Sequence, residues 1–97
     1  MKVYIVTEAQ YCKNCAQSEM ESLGAWATAS ATRDGALLDI RNVIDERIYE
    51  AFEGLDETER DERTDSERDE VLARGGDQYS WENADYAYLW CIVEAEV

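Results

Sequence analysis

Two groups of residues in this chain are of types and spacings that could do chemistry: three thiols and a dense run of carboxylates. Cys12-Lys13-Asn14-Cys15 has the two-residue gap of a dithiol, and Cys91 lies far along the chain. A dithiol at the start of a helix has a lowered thiol pKa and so supplies a thiolate for exchange. A structural zinc site needs four ligands. Cys12, Cys15 and Cys91 would provide three, leaving a carboxylate or a second chain to complete the set. There is no His, which removes the commonest metal ligand and the commonest general base together. The alternative is purely structural, with Cys12 and Cys15 in a loop and Cys91 a small buried apolar residue of a strand. Three is an odd number, so no complete disulfide framework closes within one chain, and the small secreted class is disfavoured.

The carboxylates are concentrated in one place. Between Asp56 and Glu70 the chain holds Asp56, Glu57, Glu59, Asp61, Glu62, Asp65, Glu67, Asp69 and Glu70 against only Arg60, Arg63 and Arg68. Thr58-Glu59-Arg60-Asp61-Glu62 is nearly repeated as Ser66-Glu67-Arg68-Asp69-Glu70. As a helix this stretch would pair Asp56 with Arg60, Glu59 with Arg63 and Glu70 with Arg74, each in the favourable acid-first order. Otherwise it is a mobile polar excursion. So many acids defeat any attempt to single out an acid–base pair. No catalytic residue is assigned, no cofactor is expected, and an enzyme is the less favoured class.

The whole chain is acidic. Nine Lys and Arg against 23 Asp and Glu give a net charge of −14, which argues against direct nucleic-acid binding, since phosphate contacts need clustered basic residues. Two other uses of the charge fit: a partner whose basic surface ordinarily holds a polyanion, or plain solubility and adaptation to high salt. Ninety-seven residues make a single domain, 1–97, with residues 56–74 as an exposed acidic insert. No apolar run approaches the roughly 20 residues that span a bilayer. The opening residues lack the basic start and long apolar stretch of a signal peptide, so the expected location is the cytoplasm.

Around these groups the pattern places four elements. Val3 to Thr7 is β-branched and aromatic, and apolar on both faces, as in a strand at the middle of a covered sheet. Leu23 to Thr28 suits a second strand. From Ala36 to Phe52 the period is helical, with Leu37, Ile40, Ile44, Ile48, Ala51 and Leu55 forming a stripe. Thr32 is its expected N-cap and Gly54 its left-handed stop, while Gly75-Gly76 ends the acidic segment. Tyr79–Trp81 and Tyr86–Val93 form a hairpin around Asn83-Ala84-Asp85. Tyr86, Tyr88, Trp90 and Ile92 fall on one face of its second strand, and Ala87, Leu89, Cys91 and Val93 on the other. The fold class is α+β: a small, mostly antiparallel sheet of three to four strands packed on one amphipathic helix, with an acidic helical or mobile insert.

Two resemblances follow from these residues. Val3-Tyr4-Ile5-Val6-Thr7, then Tyr11-Cys12-Lys13-Asn14-Cys15, then Ala16 through Leu23-Gly24, resembles the strand, active-site turn and helix of glutaredoxin-like proteins. That likeness implies a dithiol oxidoreductase with Cys12 as nucleophile and Cys15 as resolving thiol. The family's fold places a cis-proline beside the dithiol, and this chain has no proline. The overall layout is similar to small phage-type proteins of ββαβ arrangement: Met1 to Glu8, Leu23 to Thr28, a Thr-capped helix over Thr32 to Phe52, and Tyr88 to Glu94. That likeness implies a viral or mobile-element setting and no defined activity.

Together these point to a non-catalytic acidic binding protein, an inhibitor of phage or virus type. It would block a basic, nucleic-acid-binding surface of a host protein complex by polyanion mimicry, in the manner of anti-restriction or anti-CRISPR proteins. The partner-binding residues would be the nine acids of 56–70, with no membrane contact. A homodimer is compatible with the sequence. The competing readings are the dithiol oxidoreductase and a zinc-stapled or merely halophilic structural module.

Overall fold

A computed structural model describes the backbone of residues 1–12 and 21–97, and the side chains of residues 1–12 and 27–97. Six elements follow in order: β1 (Lys2–Cys12), β2 (Glu21–Ser30), α1 (Arg33–Ala51), α2 (Glu57–Arg74), β3 (Gln78–Glu82) and β4 (Tyr86–Glu96). The strands form one antiparallel sheet in the order β2-β1-β4-β3. The α+β class and the antiparallel sheet agree with the sequence reading. The ββαβ layout gives way to ββααββ, because the acidic segment is a second helix of the fold.

Alternation along the two central strands sorts their side chains onto two faces. Val6, Tyr88, Trp90 and Ile92 point into the core, where they meet Ala36, Ile40, Val43, Ile44 and Ile48 of α1 and Val71 of α2. Tyr79 and Trp81 of β3 complete it. A line of aromatic contacts runs across the sheet: Trp81 stacks on Tyr88, whose ring centroid is 5.4 Å from that of Trp90. The other face carries the register pairs Val3–Ala95, Ile5–Val93, Thr7–Cys91 and Ala9–Leu89. Among the described residues both helices lie on the core side. The expectation of a centrally placed β1 therefore holds, but described elements cover the sheet on one face only.

Local signals explain most of the boundaries. The Thr32 hydroxyl accepts from the Gly35 N–H and caps α1. The Asp56 carboxylate does the same for Glu59 N–H at the start of α2. Asn83 Oδ1 accepts from the N–H groups of Asp85 and Tyr86, closing the hairpin turn. Gly75 ends α2, and its lack of a side chain is used: a Cβ there would overlap the ring of Tyr79.

Other expectations are corrected. Phe52, not Gly54, caps α1, and no described glycine takes a positive φ. The helix closes through Phe52 and Glu53 N–H bonds to the carbonyls of Tyr49 and Glu50, without a left-handed residue. β1 runs on past Thr7 to Cys12 because Glu8, Ala9 and Gln10 have ladder partners on both sides. β2 likewise spans Glu21 to Ser30.

Candidate functional site

The acidic segment becomes helix α2, seated on the rest of the molecule by a narrow inward stripe. Thr64 and Val71 are buried, and Arg60 and Arg63, which were expected to pair within the helix, turn instead toward α1. Arg60 donates through Nε to the Tyr49 carbonyl at 2.8 Å, and its guanidinium lies 3.6 Å from the Tyr49 ring centroid. Arg63 lies over the Phe52 ring at 4.7 Å. Arg68 bridges Asp45 of α1 with Asp65 and Asp69 of its own helix. Burial works against the Arg68 charge, yet hydrogen bonds to Asp45 and Asp69 hold its pKa above the ordinary value. Asp56–Arg60, Glu59–Arg63 and Glu70–Arg74 do not form ion pairs among the described residues. An exposed pair contributes at most a few tenths of a kcal/mol. A guanidinium laid on an aromatic ring at the helix seam buries its stem as well.

This inward turn of the arginines decides where the nine predicted carboxylates stand. Asp56 is committed to its capping bond, and Glu67 accepts the indole N–H of Trp81 at 2.6 Å. Asp65 and Asp69 share Arg68. Glu57, Glu59, Asp61, Glu62 and Glu70 are exposed, with no Lys or Arg within 4.0 Å among the described residues. Helical spacing puts Asp61, Asp65 and Asp69 in one row, about 6 Å apart along the axis, with Glu59, Glu62 and Glu70 on the adjacent outer rows. Asp45 of α1 adds a carboxylate at the seam through Arg68, while Glu46 and Glu50 stand beside Arg47 on the other flank of α1. The part of Asp45 beside α2 was missed in the sequence; its trace was a position off the apolar stripe of α1.

The thiols are not brought together. Cys12 is the last residue of β1, while Cys91 pairs with Thr7 five residues back along the ladder, about 16 Å away at strand rise. By alternation the two also belong to opposite faces of the sheet. Cys12 is disulfide-bonded; Cys91 is a free thiol, half-buried instead of buried, with the Gln78 amide donating to its sulfur at 3.8 Å. Cys15 lies outside the described residues. Of the segment that the glutaredoxin likeness makes a helix, Glu21 to Gly24 belong to strand β2 and the remainder, 16–20, lies outside the described residues. Among the described residues no group of three His, Cys, Asp or Glu is placed to hold a metal.

One buried charged group went unnoticed. Glu8 is 5% exposed and takes three contacts: Arg47 Nε at 3.0 Å, Arg47 Nη2 at 3.0 Å and Trp90 Nε1 at 2.7 Å. The hydrogen bond to Glu8 raises the Arg47 pKa, with burial opposing it. Every oxygen is engaged with protein, so the cluster ties α1 to the two central strands. Its trace in the sequence was a Glu at an inward position of an otherwise apolar strand.

No described helix is long and apolar enough to cross a membrane. No family model matches this chain, and neither a curated protein nor a solved structure matches it.

Proposed function

We propose that this protein is a non-catalytic polyanion mimic that occupies a basic, nucleic-acid-binding surface of another protein, an inhibitor of phage or virus type acting in the host cytoplasm. One observation carries the reading. Arg60 and Arg63 of α2 lie on rings of α1 and Arg68 reaches Asp45, so the solvent side of α2 presents carboxylates without their expected partners. Nine acids over 15 residues occupy about 22 Å of helix, one per ~2.5 Å, and a nucleic-acid strand has one phosphate per ~3.4 Å. Such a surface attracts a basic groove through many modest contacts and accelerates encounter by steering.

The test is displacement. Nucleic-acid-binding proteins with basic grooves are loaded with a fluorescent duplex and challenged with the protein at 50 and 300 mM salt. At least one should release its duplex, with an apparent affinity about tenfold or more weaker at the higher salt. Glu59→Gln, Asp61→Asn, Glu62→Gln and Glu70→Gln together should abolish displacement while leaving the fold intact, since none of the four side chains makes an internal bond. A quadruple variant that displaces as well as the parent, or displacement indifferent to salt, contradicts the reading.

A further inference from the structure

The face of the sheet turned away from the helices has a composition unlike the rest of the molecule. One residue in three of this chain is charged. The outward positions of β1 and β4, from Val3 to Tyr11 and from Ala87 to Ala95, include no charged side chain. Ile5 sits opposite Val93, and Ala9 opposite Leu89. Val93 is 49% exposed. On the adjoining strand Ala27 and Ala29 are exposed beside Thr7 and Ile5. Two central strands that are apolar on both faces are the pattern of a sheet covered on both sides, whereas the described elements cover one.

We infer that this face is an isologous dimer interface, occupied by the same face of a second copy. Two observations select that occupant. The first is area. The three strands β2, β1 and β4, at about 4.8 Å spacing and roughly 35 Å long, give about 500 Å² per copy, about 1,000 Å² for a pair, which reaches the roughly 1,000 Å² that a specific interface needs. The described outward side chains of β1 and β4 are mostly small or branched, the form that packs sheet on sheet at about 10 Å.

The second observation is charge. Two chains of −14 should repel, and most pairings of their surfaces would bring carboxylates together. Each molecule is only 19 Å along its shortest axis, with the acidic helices on the side opposite the open face. Packing sheet to sheet, with about 10 Å between successive layers, sets the two helical layers roughly 30 Å apart, several Debye lengths at physiological salt. It keeps the two acidic helices apart and leaves both outward. The outward positions of β1 and β4 offer a basic partner no carboxylate.

The experiment is sedimentation equilibrium on the full chain across about 2–200 µM protein at 50 and 500 mM NaCl. A dimer is expected, and because like net charge opposes it, association should tighten as salt rises. That is the reverse of the salt response of polyanion mimicry, so one reading can fail without the other. Val93→Glu and, separately, Ala29→Glu place a carboxylate on exposed positions of the face and should weaken association at least tenfold. Leu38→Glu, on an exposed position of α1, should not. Alkylation of Cys91 in the unaltered protein, read by peptide mass, should slow as concentration passes through the dimer range. A monomer at every concentration and salt overturns the inference, as does a dimer that survives both sheet substitutions or leaves Cys91 alkylation unchanged. A monomer that becomes protected at Cys91 only on adding another polypeptide also overturns it and assigns the face to that partner.

Discussion

Glu8 occupies a position where the alternation of β1 calls for an apolar side chain, and its cost is met by Arg47 and Trp90. Removing one member of such a set strands the other, which is where large single-residue effects arise. Glu8→Ala is therefore expected to destabilise the protein by about 2–3 kcal/mol, read as a lowered urea midpoint with unchanged slope. Glu8→Gln keeps an acceptor for the indole and should cost less. Beside this cluster, burial raises the Tyr88 phenol above its ordinary value, with Arg47 opposing the shift. A phenol whose folded pKa exceeds its unfolded one contributes stability that is complete below about pH 10 and is lost as pH climbs through the folded value. Urea midpoints measured from about pH 8 to 11.5 should fall at the alkaline end. Tyr88→Phe should flatten that fall.

The helices show how far local pattern carries. Thr32 was the expected cap of α1 and accepts the Gly35 N–H, whereas Asp56, read as a partner of Arg60, turns out to cap α2. The hairpin turn at Asn83 was also readable from side-chain chemistry. The end of α1 was not, since Gly54 is a stop signal only if the chain needs a left-handed residue, and here Phe52 and Glu53 bond back without one. The inward turn of Arg60, Arg63 and Arg68 was equally hidden, because it depends on rings and carboxylates of a neighbouring helix. At the far end of α2, Gly75 has an ordinary φ of −85°, so its role is space and not conformation. Gly75→Ala should cost about 1–3 kcal/mol by forcing Tyr79 aside. Gly76→Ala, with nothing within 4 Å of the added carbon, should be close to neutral. Thermal unfolding of the two variants side by side checks the contrast.

On the scale of the whole molecule, layers and charge were partly legible. The two-faced apolar pattern of Val3–Thr7 identified one central strand correctly, while Tyr86–Val93 was read as half of a hairpin and is the other. It could not say what lies on the second face, because side-chain alternation gives direction and not neighbours. Nor could spacing show that Cys12 and Cys91 part company, which is settled by register. Net charge acts on stability as well as on binding. Self-repulsion destabilises a compact anion at low ionic strength and is screened as salt rises. The melting temperature at about 2 µM protein should therefore rise between roughly 10 and 300 mM NaCl, and rise less when Glu59, Asp61, Glu62 and Glu70 are neutralised. Differential scanning fluorimetry reads both slopes.

The pairing of β1 with β4 also governs how the chain reaches this structure. Glu8 meets Trp90 across 82 intervening steps of sequence, and the middle of the sheet is closed by the two segments most distant from each other. Such a ladder stays out of reach until nearly all of the polypeptide has been made, and the loop it closes is among the longest available. The helical pair, the β1–β2 pair and the β3–β4 hairpin all join neighbours in sequence, so the β1–β4 ladder is the one sheet pairing that must close a long loop. Until it closes, the facing edges of β1 and β4 lack their ladder partners and are open to mispairing.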